Sequence, residues 1–225
     1  MRIANLLILT ASLAAPVGVA RAGETVAYSY DELGRLTKVA RSGTVNDGVE
    51  ASYAYDAADN RSQVTVIAGP RVVGGGFEAP EVGASYLYAP SGGPAVFAGR
   101  SGIAGNGSLW GFLPVPEGDQ AGFIQSYGTA STIQLEVKEL VPAQSYVFRF
   151  RIAGRPNFTA NPVTVTFQGA TLGTFTPASN NFVEVVTAPF TASAATGQLL
   201  FTGSGSTDDL GTALDAVSVA RQGGN

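Results

Sequence analysis

An all-β fold, an antiparallel β-sandwich, is predicted for most of this chain by three observations. From Phe77 onward, short segments alternate apolar and polar residues with a period of two. No window of comparable length shows helical periodicity, and Gly, Pro, Ser and Asn punctuate the segments at regular spacing. The segment 131–137 puts Ile133, Leu135 and Val137 on one face and Thr132, Gln134 and Glu136 on the other. In 145–153, Tyr146, Phe148, Phe150 and Ile152 oppose Val147, Arg149 and Arg151. Val163, Val165 and Phe167 oppose Thr164, Thr166 and Gln168, and further short strands fall near 171–175, 182–190, 197–203 and 213–220. One apolar face per strand favours two antiparallel sheets packed together.

The start of the chain reads as an export signal. Met1-Arg2 is a short basic start, 3–19 is mostly apolar, and Ala20-Arg21-Ala22 offers small residues where a signal peptidase reads. Cleavage there predicts a secreted or periplasmic protein with no membrane partner. A retained segment would instead tether it to the inner membrane. Of 225 residues, 203 remain after residues 1–22 are removed, enough for one domain with a real core and a small appendage. No Cys is present to carry a lipid or a disulfide, so stability must come from the core. No sorting tail precedes Asn225, which points to periplasm or medium.

Composition excludes several functions. The formal charge is −4, falling to −6 without Arg2 and Arg21, with no clustered basic stretch. That is a poor surface for nucleic acid or anionic lipid. The absence of His rules out Ser-His-Asp and Cys-His triads and His-ligated zinc.

Residues 26–65 contain an internal repeat. Residues 26–40 read VAYSYDELGRLTKVA, and 51–65 read ASYAYDAADNRSQVT. At an offset of 25 residues, Tyr28, Tyr30 and Asp31 fall on Tyr53, Tyr55 and Asp56. Each copy alternates and then turns, as a β-hairpin does. The Asp after the strand accepts hydrogen bonds from the turn amides, and Gly34 supplies a positive φ. The breakers Gly69-Pro70 and Gly74-Gly75-Gly76 mark 66–76 as a linker. The chain therefore divides into a signal helix (1–22), two repeats (23–65), linker (66–76), sandwich (77–220) and tail (221–225).

Two resemblances attach to these segments. Tyr28-Ser29-Tyr30-Asp31-Glu32-Leu33-Gly34-Arg35-Leu36 resembles the YD repeats of the RHS family, and 53–61 is a looser copy with Asp59 in place of Gly. Family members string many such repeats into a β-shell. Two copies cannot close one, because a repeat array needs about three units for a continuous core. The segment 74–220 resembles the galactose-binding-like jelly rolls of many carbohydrate-binding modules. It opens on Gly75-Gly76-Phe77-Glu78 and continues through Phe123-Ile124-Gln125, then 142–150 (PAQSYVFRF) and Arg155. It closes on Leu214-Asp215-Ala216-Val217-Ser218-Val219.

The second resemblance implies a structural calcium held by Glu78 and Asp215, and a polysaccharide or glycan partner. Asp215 is in phase with Val217 and Val219, which points it toward the core, where a bare carboxylate needs a cation or several donors. Alternatively Asp215 caps a strand edge and Glu78 is solvated. A sugar site needs an aromatic plate and planar polar groups. Trp110, in a Gly-rich loop, is the candidate plate, or else a plug at the end of the core. Tyr127, with Tyr86 and Tyr88, offers alternative rings. Arg149, Arg151 and Arg155 are candidate polar contacts, and Arg149 and Arg151 either line a groove with Gln134 and Glu136 or form a surface ion ladder. The Asp208-Asp209 pair reads as a solvated loop. The acids Glu81, Glu117, Asp119, Glu136, Glu139 and Glu184 form no recognisable catalytic pair, so the expectation is a non-catalytic binding protein. A structural or adhesion role, derived from an RHS-type surface protein with the repeats docking to a partner, is the alternative, and a carboxylate-dependent glycosidase or lyase is the less favoured third reading. The sequence leaves the oligomeric state open.

Overall fold

A computed structural model of the protein describes residues 24–43, 49–112 and 114–222. The expected signal segment 1–22 lies outside them. Among the described residues no helix is long and apolar enough to cross a membrane. The chain divides at Pro70 and Arg71 into two compact units.

The first unit is one four-stranded antiparallel sheet in sequence order: β1 (Glu24–Tyr30), β2 (Leu36–Gly43), β3 (Glu50–Tyr55) and β4 (Arg61–Ile67). The two repeats are its two hairpins, β1–β2 and β3–β4. Asp31 Oδ1 accepts the amides of Leu33 (3.0 Å) and Arg35 (2.9 Å), and Gly34 has φ of 79°. Asp56 Oδ1 repeats this with the amides of Ala58 and Asn60, both at 2.9 Å. Asp59 takes the glycine position with φ of 63°. An Asp tolerates this left-handed geometry better than most side chains, which explains the looser second copy.

The second unit is all-β, with its strands in two antiparallel sheets. Sheet I runs β13 (Ala170–Phe175), β12 (Val163–Phe167), β16 (Gly197–Gly203), β10 (Thr132–Lys138), β5 (Arg71–Val72), with β7 (Val96–Ala98) also on β10. Sheet II runs β14 (Val183–Val186), β11 (Ser145–Gly154), β17 (Leu210–Arg221), β9 (Gln120–Ser126), β8 (Ser101–Gly105), β6 (Tyr86–Tyr88), with β15 (Phe190–Thr191) also on β11. Arg71 and Val72, in the stretch read as linker, pair with Lys138 and Val137.

The alternation places the core between the sheets. Ile133, Leu135, Val137, Val163, Val165, Phe167, Leu199 and Phe201 from sheet I meet Ile103, Ile124, Tyr146, Phe148, Phe150, Ile152 and Leu214 from sheet II. Rings cross the gap: Phe148 stands edge-on to Phe167 (5.1 Å between centroids) and Phe150 to Phe201 (5.2 Å). β8 and β9 are buried at every position, on both faces. Their second face carries a separate small cluster of Ala104, Trp110, Phe112, Ala121, Phe123, Ala153 and Ala213. The described loop residues of 106–112 and 114–118 therefore roof the outer face of sheet II.

Phe148→Ala removes a fully buried ring and is expected to cost about 3–5 kcal/mol. Leu109→Ala, at a side chain 89% exposed, should stay within about 0.5 kcal/mol of wild type. Denaturant unfolding of the two variants checks both.

Candidate functional site

The roof loop is fastened at both ends and in the middle. At its base Asn106 donates its amide to Asp119 O (2.9 Å), and its side-chain oxygen accepts the amide of Val115 (3.1 Å). In the middle Trp110, 1% exposed, stacks on Phe123 at 4.3 Å, and the Arg155 guanidinium lies 4.6 Å from the indole centre on its way to Phe158 (3.9 Å). Gly211 makes room beneath: a Cβ there would meet Arg155 Cβ at 2.9 Å and Trp110 Cη2 at 3.2 Å. At its far end the Glu117 amide donates to Asp215 Oδ2 (3.0 Å).

Asp215 is fully buried, but by a route other than simple alternation. On β11 the pairing advances two residues, Arg149 to Arg151, while on β17 it advances three, Ser218 to Asp215. The extra residue is accommodated around Ala216, with φ of 52°. Such a bulge reverses the phase of the strand. Leu214 and Val217 both enter the inter-sheet core. Asp215 instead lies on the outer face with Ala213, beneath the roof loop. Its expected alignment with Val217 and Val219 is thus corrected.

The Asp215 carboxylate accepts two amides, from Glu117 and Ala216 (2.7 Å). Burial, reinforced by the charges of Glu117 and Glu78, pushes its pKa up to about 8 against those two bonds. Glu78 is exposed, and its Oε1 accepts the amides of Asp119 and Gln120, both at 3.1 Å. Asp215 and Glu78 thus accept backbone amides of the same 117–120 segment. Among the described residues no group of three or more acidic side chains converges as a metal cluster does. A cation here would draw its remaining ligands from backbone carbonyls and water. Glu78, Glu81 and Asp119 also line a cleft of about 490 Å³ with Asn106 and Gln120, and no ring lines it.

Beside the roof lies an aromatic surface. Tyr86 and Tyr88 on β6 are each 38% exposed and meet edge to face at 5.8 Å. Tyr88 leans edge-on against Phe123 (5.1 Å), the ring under Trp110. Its hydroxyl donates to the Gln125 side chain, which in turn donates to Asp209. Burial raises the Tyr88 pKa, and the positive charges of Arg155 and Arg100 hold part of that rise back. Among the described residues the buried Trp110 indole N–H has no hydrogen-bond partner. Arg100 lies over the Tyr127 ring at 5.1 Å, and Tyr127 is 59% exposed. Phe158 is 40% exposed.

Among the expected contacts, Trp110, Arg155 and Tyr127 belong to this region. Trp110 occupies the plug position, and the solvent-facing rings are the tyrosines and Phe158. Arg149 and Arg151 project from β11 further along sheet II, where Arg149 pairs with Glu184 at 3.2 Å. Gln134 and Glu136 lie on sheet I, so of the two readings offered for these arginines the groove joining them does not form. Asp209, read as a solvated loop residue, is tied to Gln125. Arg100 and Phe158 carried no periodic signal, because both sit beside breakers in short connections.

The scan of protein families returned no match, and no curated protein matched. Among solved structures, the TmCBM61 module in complex with β-1,4-galactotriose is similar at a TM-score of 0.45 and 12% identity, covering 66% of this chain and 96% of that one. The xylan-binding domain from CBM22 gives 0.42 and 15%, covering 65% and 99%. The C-terminal family 22 carbohydrate-binding module of Clostridium thermocellum Xyn10B gives 0.42 and 15%, covering 59% and 88%. All three are carbohydrate-binding modules. Likeness at this level carries no ligand over to this chain.

The raised Asp215 pKa has a definite sign. Between about pH 4 and pH 8 the folded protein keeps a proton that the unfolded chain has released. Stability from this group is full below pH 4 and is lost as pH rises through 8, on the order of a few kcal/mol. In chelator the melting temperature should therefore fall between pH 5 and 8, and Asp215→Asn should flatten that slope. An unchanged slope in the variant contradicts this role.

Proposed function

We propose that the second unit is a non-catalytic carbohydrate-binding β-sandwich of the galactose-binding-like jelly-roll type, acting outside the cytoplasm. The observation that carries this reading is the surface beside the roof loop. Tyr86, Tyr88, Tyr127 and Phe158 present partly exposed rings beside the guanidinium groups of Arg100 and Arg155, the Gln125 amide and the Asp209 carboxylate. Rings cover the apolar face of a pyranose, and planar polar groups bond its hydroxyls. Trp110 supports these groups from below. The acidic cleft, lacking a ring, is a poorer sugar site. The first unit we read as a pair of YD-type repeats.

Calcium is the proposed structural cation, with Asp215 and Glu78 as its carboxylate ligands. The support is chemical: Asp215 is fully buried with two amide donors, and its pKa is pushed up to about 8 because its charged form is short of partners there. A hard cation taking carboxylate and carbonyl oxygens answers that deficit without fixed geometry.

Glycan-array binding followed by titration tests the function. Tyr88→Ala and Arg155→Ala should each weaken binding about tenfold, the loss of ~1.4 kcal/mol. Arg149→Ala, paired with Glu184, should bind as wild type. Absence of binding to any glycan overturns the reading. Calcium should raise the melting temperature of wild type and leave Asp215→Asn unmoved; no change in wild type removes the calcium ligands from the account.

A further inference from the structure

The sheet of the first unit plays no part in that function, and its surface is unusual for a protein that stays alone. No described side chain in 25–67 is buried; all are exposed or half-exposed. The register puts Tyr28, Val39, Ala51 and Val66 in one row across all four strands, with Tyr53 opposite Val64 on the same face. The reverse face holds Lys38 and Glu50, paired at 2.6 Å. Among the described residues β1 and β4 are the open edges. Every residue of β4 is exposed, including Val64 (45%), Val66 (65%) and Ile67 (54%), and neither edge strand contains Pro or Lys. Those are the residues that natural sheets use to blunt an edge.

The repeat itself says what fits. Within the chain, the first hairpin accepts the second along a β2–β3 seam: Lys38 opposite Ser52, Val39 opposite Ala51, Ala40 opposite Glu50. Three contacts fasten it. Tyr55 donates its hydroxyl to Leu36 O (2.8 Å), Arg35 lies 4.7 Å over the Tyr55 ring, and Arg35 reaches Asp59. Shifting by 25 residues maps β2 onto β4 and β3 onto β1. The strand irregularities coincide too, at Ser29/Tyr30 and Ala54/Tyr55. The outer edge of β4 thus offers the strand edge and the carbonyl that β2 offers β3, and β1 offers the tyrosine that β3 brings, while Asn60 and Gly34 stand in the places of Arg35 and Asp59. Tyr30, the counterpart of the seam residue Tyr55, stands 55% exposed.

We propose that β4 of one copy pairs with β1 of a second copy, head to tail, in the register of the internal β2–β3 seam. Val64 then faces Val26 of the next copy, Gln63 faces Ala27, and Thr65 faces Thr25. The Tyr30 hydroxyl reaches Arg61 O as Tyr55 reaches Leu36 O. The apolar row continues across the junction. Because the contact is between two different edges, it does not close at a dimer.

Sedimentation of the purified protein over a concentration series tests this. Wild type should associate beyond a dimer as concentration rises. The double variant Thr25→Glu/Gln63→Lys transplants the Lys38–Glu50 pair into the new seam. It should associate up to about fivefold more tightly, and less so in high salt. Thr25→Lys/Gln63→Lys places like charges there and should loosen association by a similar factor. Both pairs lie on exposed edges, so far-ultraviolet circular dichroism should match wild type. Three results overturn the proposal: a monomer at all concentrations in both wild type and Thr25→Glu/Gln63→Lys, a plateau at a dimer, or association indifferent to both double variants.

Discussion

The fastening of the 106–118 loop over the outer face of sheet II is the constraint on which the site depends. An outer face lined by Ala104, Ala121, Ala153 and Ala213 is flat and apolar. Left open, it would be a wet hydrophobic floor. Trp110 and Phe112 close it, and the Trp110–Phe123 stack sets the height of everything beside it. Tyr88 rests on the same Phe123 ring, and Arg155 is held flat on the indole. The aromatic surface is therefore positioned by a buried layer beneath it.

Asp215 belongs to the same fastening. Its carboxylate catches the far end of the loop at Glu117, and the bulge at Ala216 turns it to the outer side. An anion in that place costs stability when nothing balances it. One group thus couples the loop's anchorage to pH.

Much of the sandwich was legible in the sequence. β10 and β12 each bury one face, and β11 does so over 148–152, so their period of two predicts both the strands and the core residues Ile133, Phe148 and Val165. β8 and β9 were not foreseen, because the roof buries both of their faces and erases the alternation. The turns at Asp31 and Asp56 were legible, since the chemistry of a carboxylate capping turn amides is local. The phase of Asp215 was misread because a one-residue bulge leaves no compositional mark. The sequence pointed to rings and planar polar groups as the makings of a candidate site. Its membership was not legible, since Arg100, Gln125, Phe158 and Asp209 come together only through sheet topology and connections.

Trp110 is the chain's sole tryptophan, so its fluorescence reports the roof alone. Acrylamide quenching of the ligand-free protein tests the central claim most directly. A plug 1% exposed predicts blue-shifted emission, weak quenching, and no change when a glycan binds. Red-shifted emission, ready quenching in the free protein and protection by the glycan would contradict it, making Trp110 the plate on which the sugar lies.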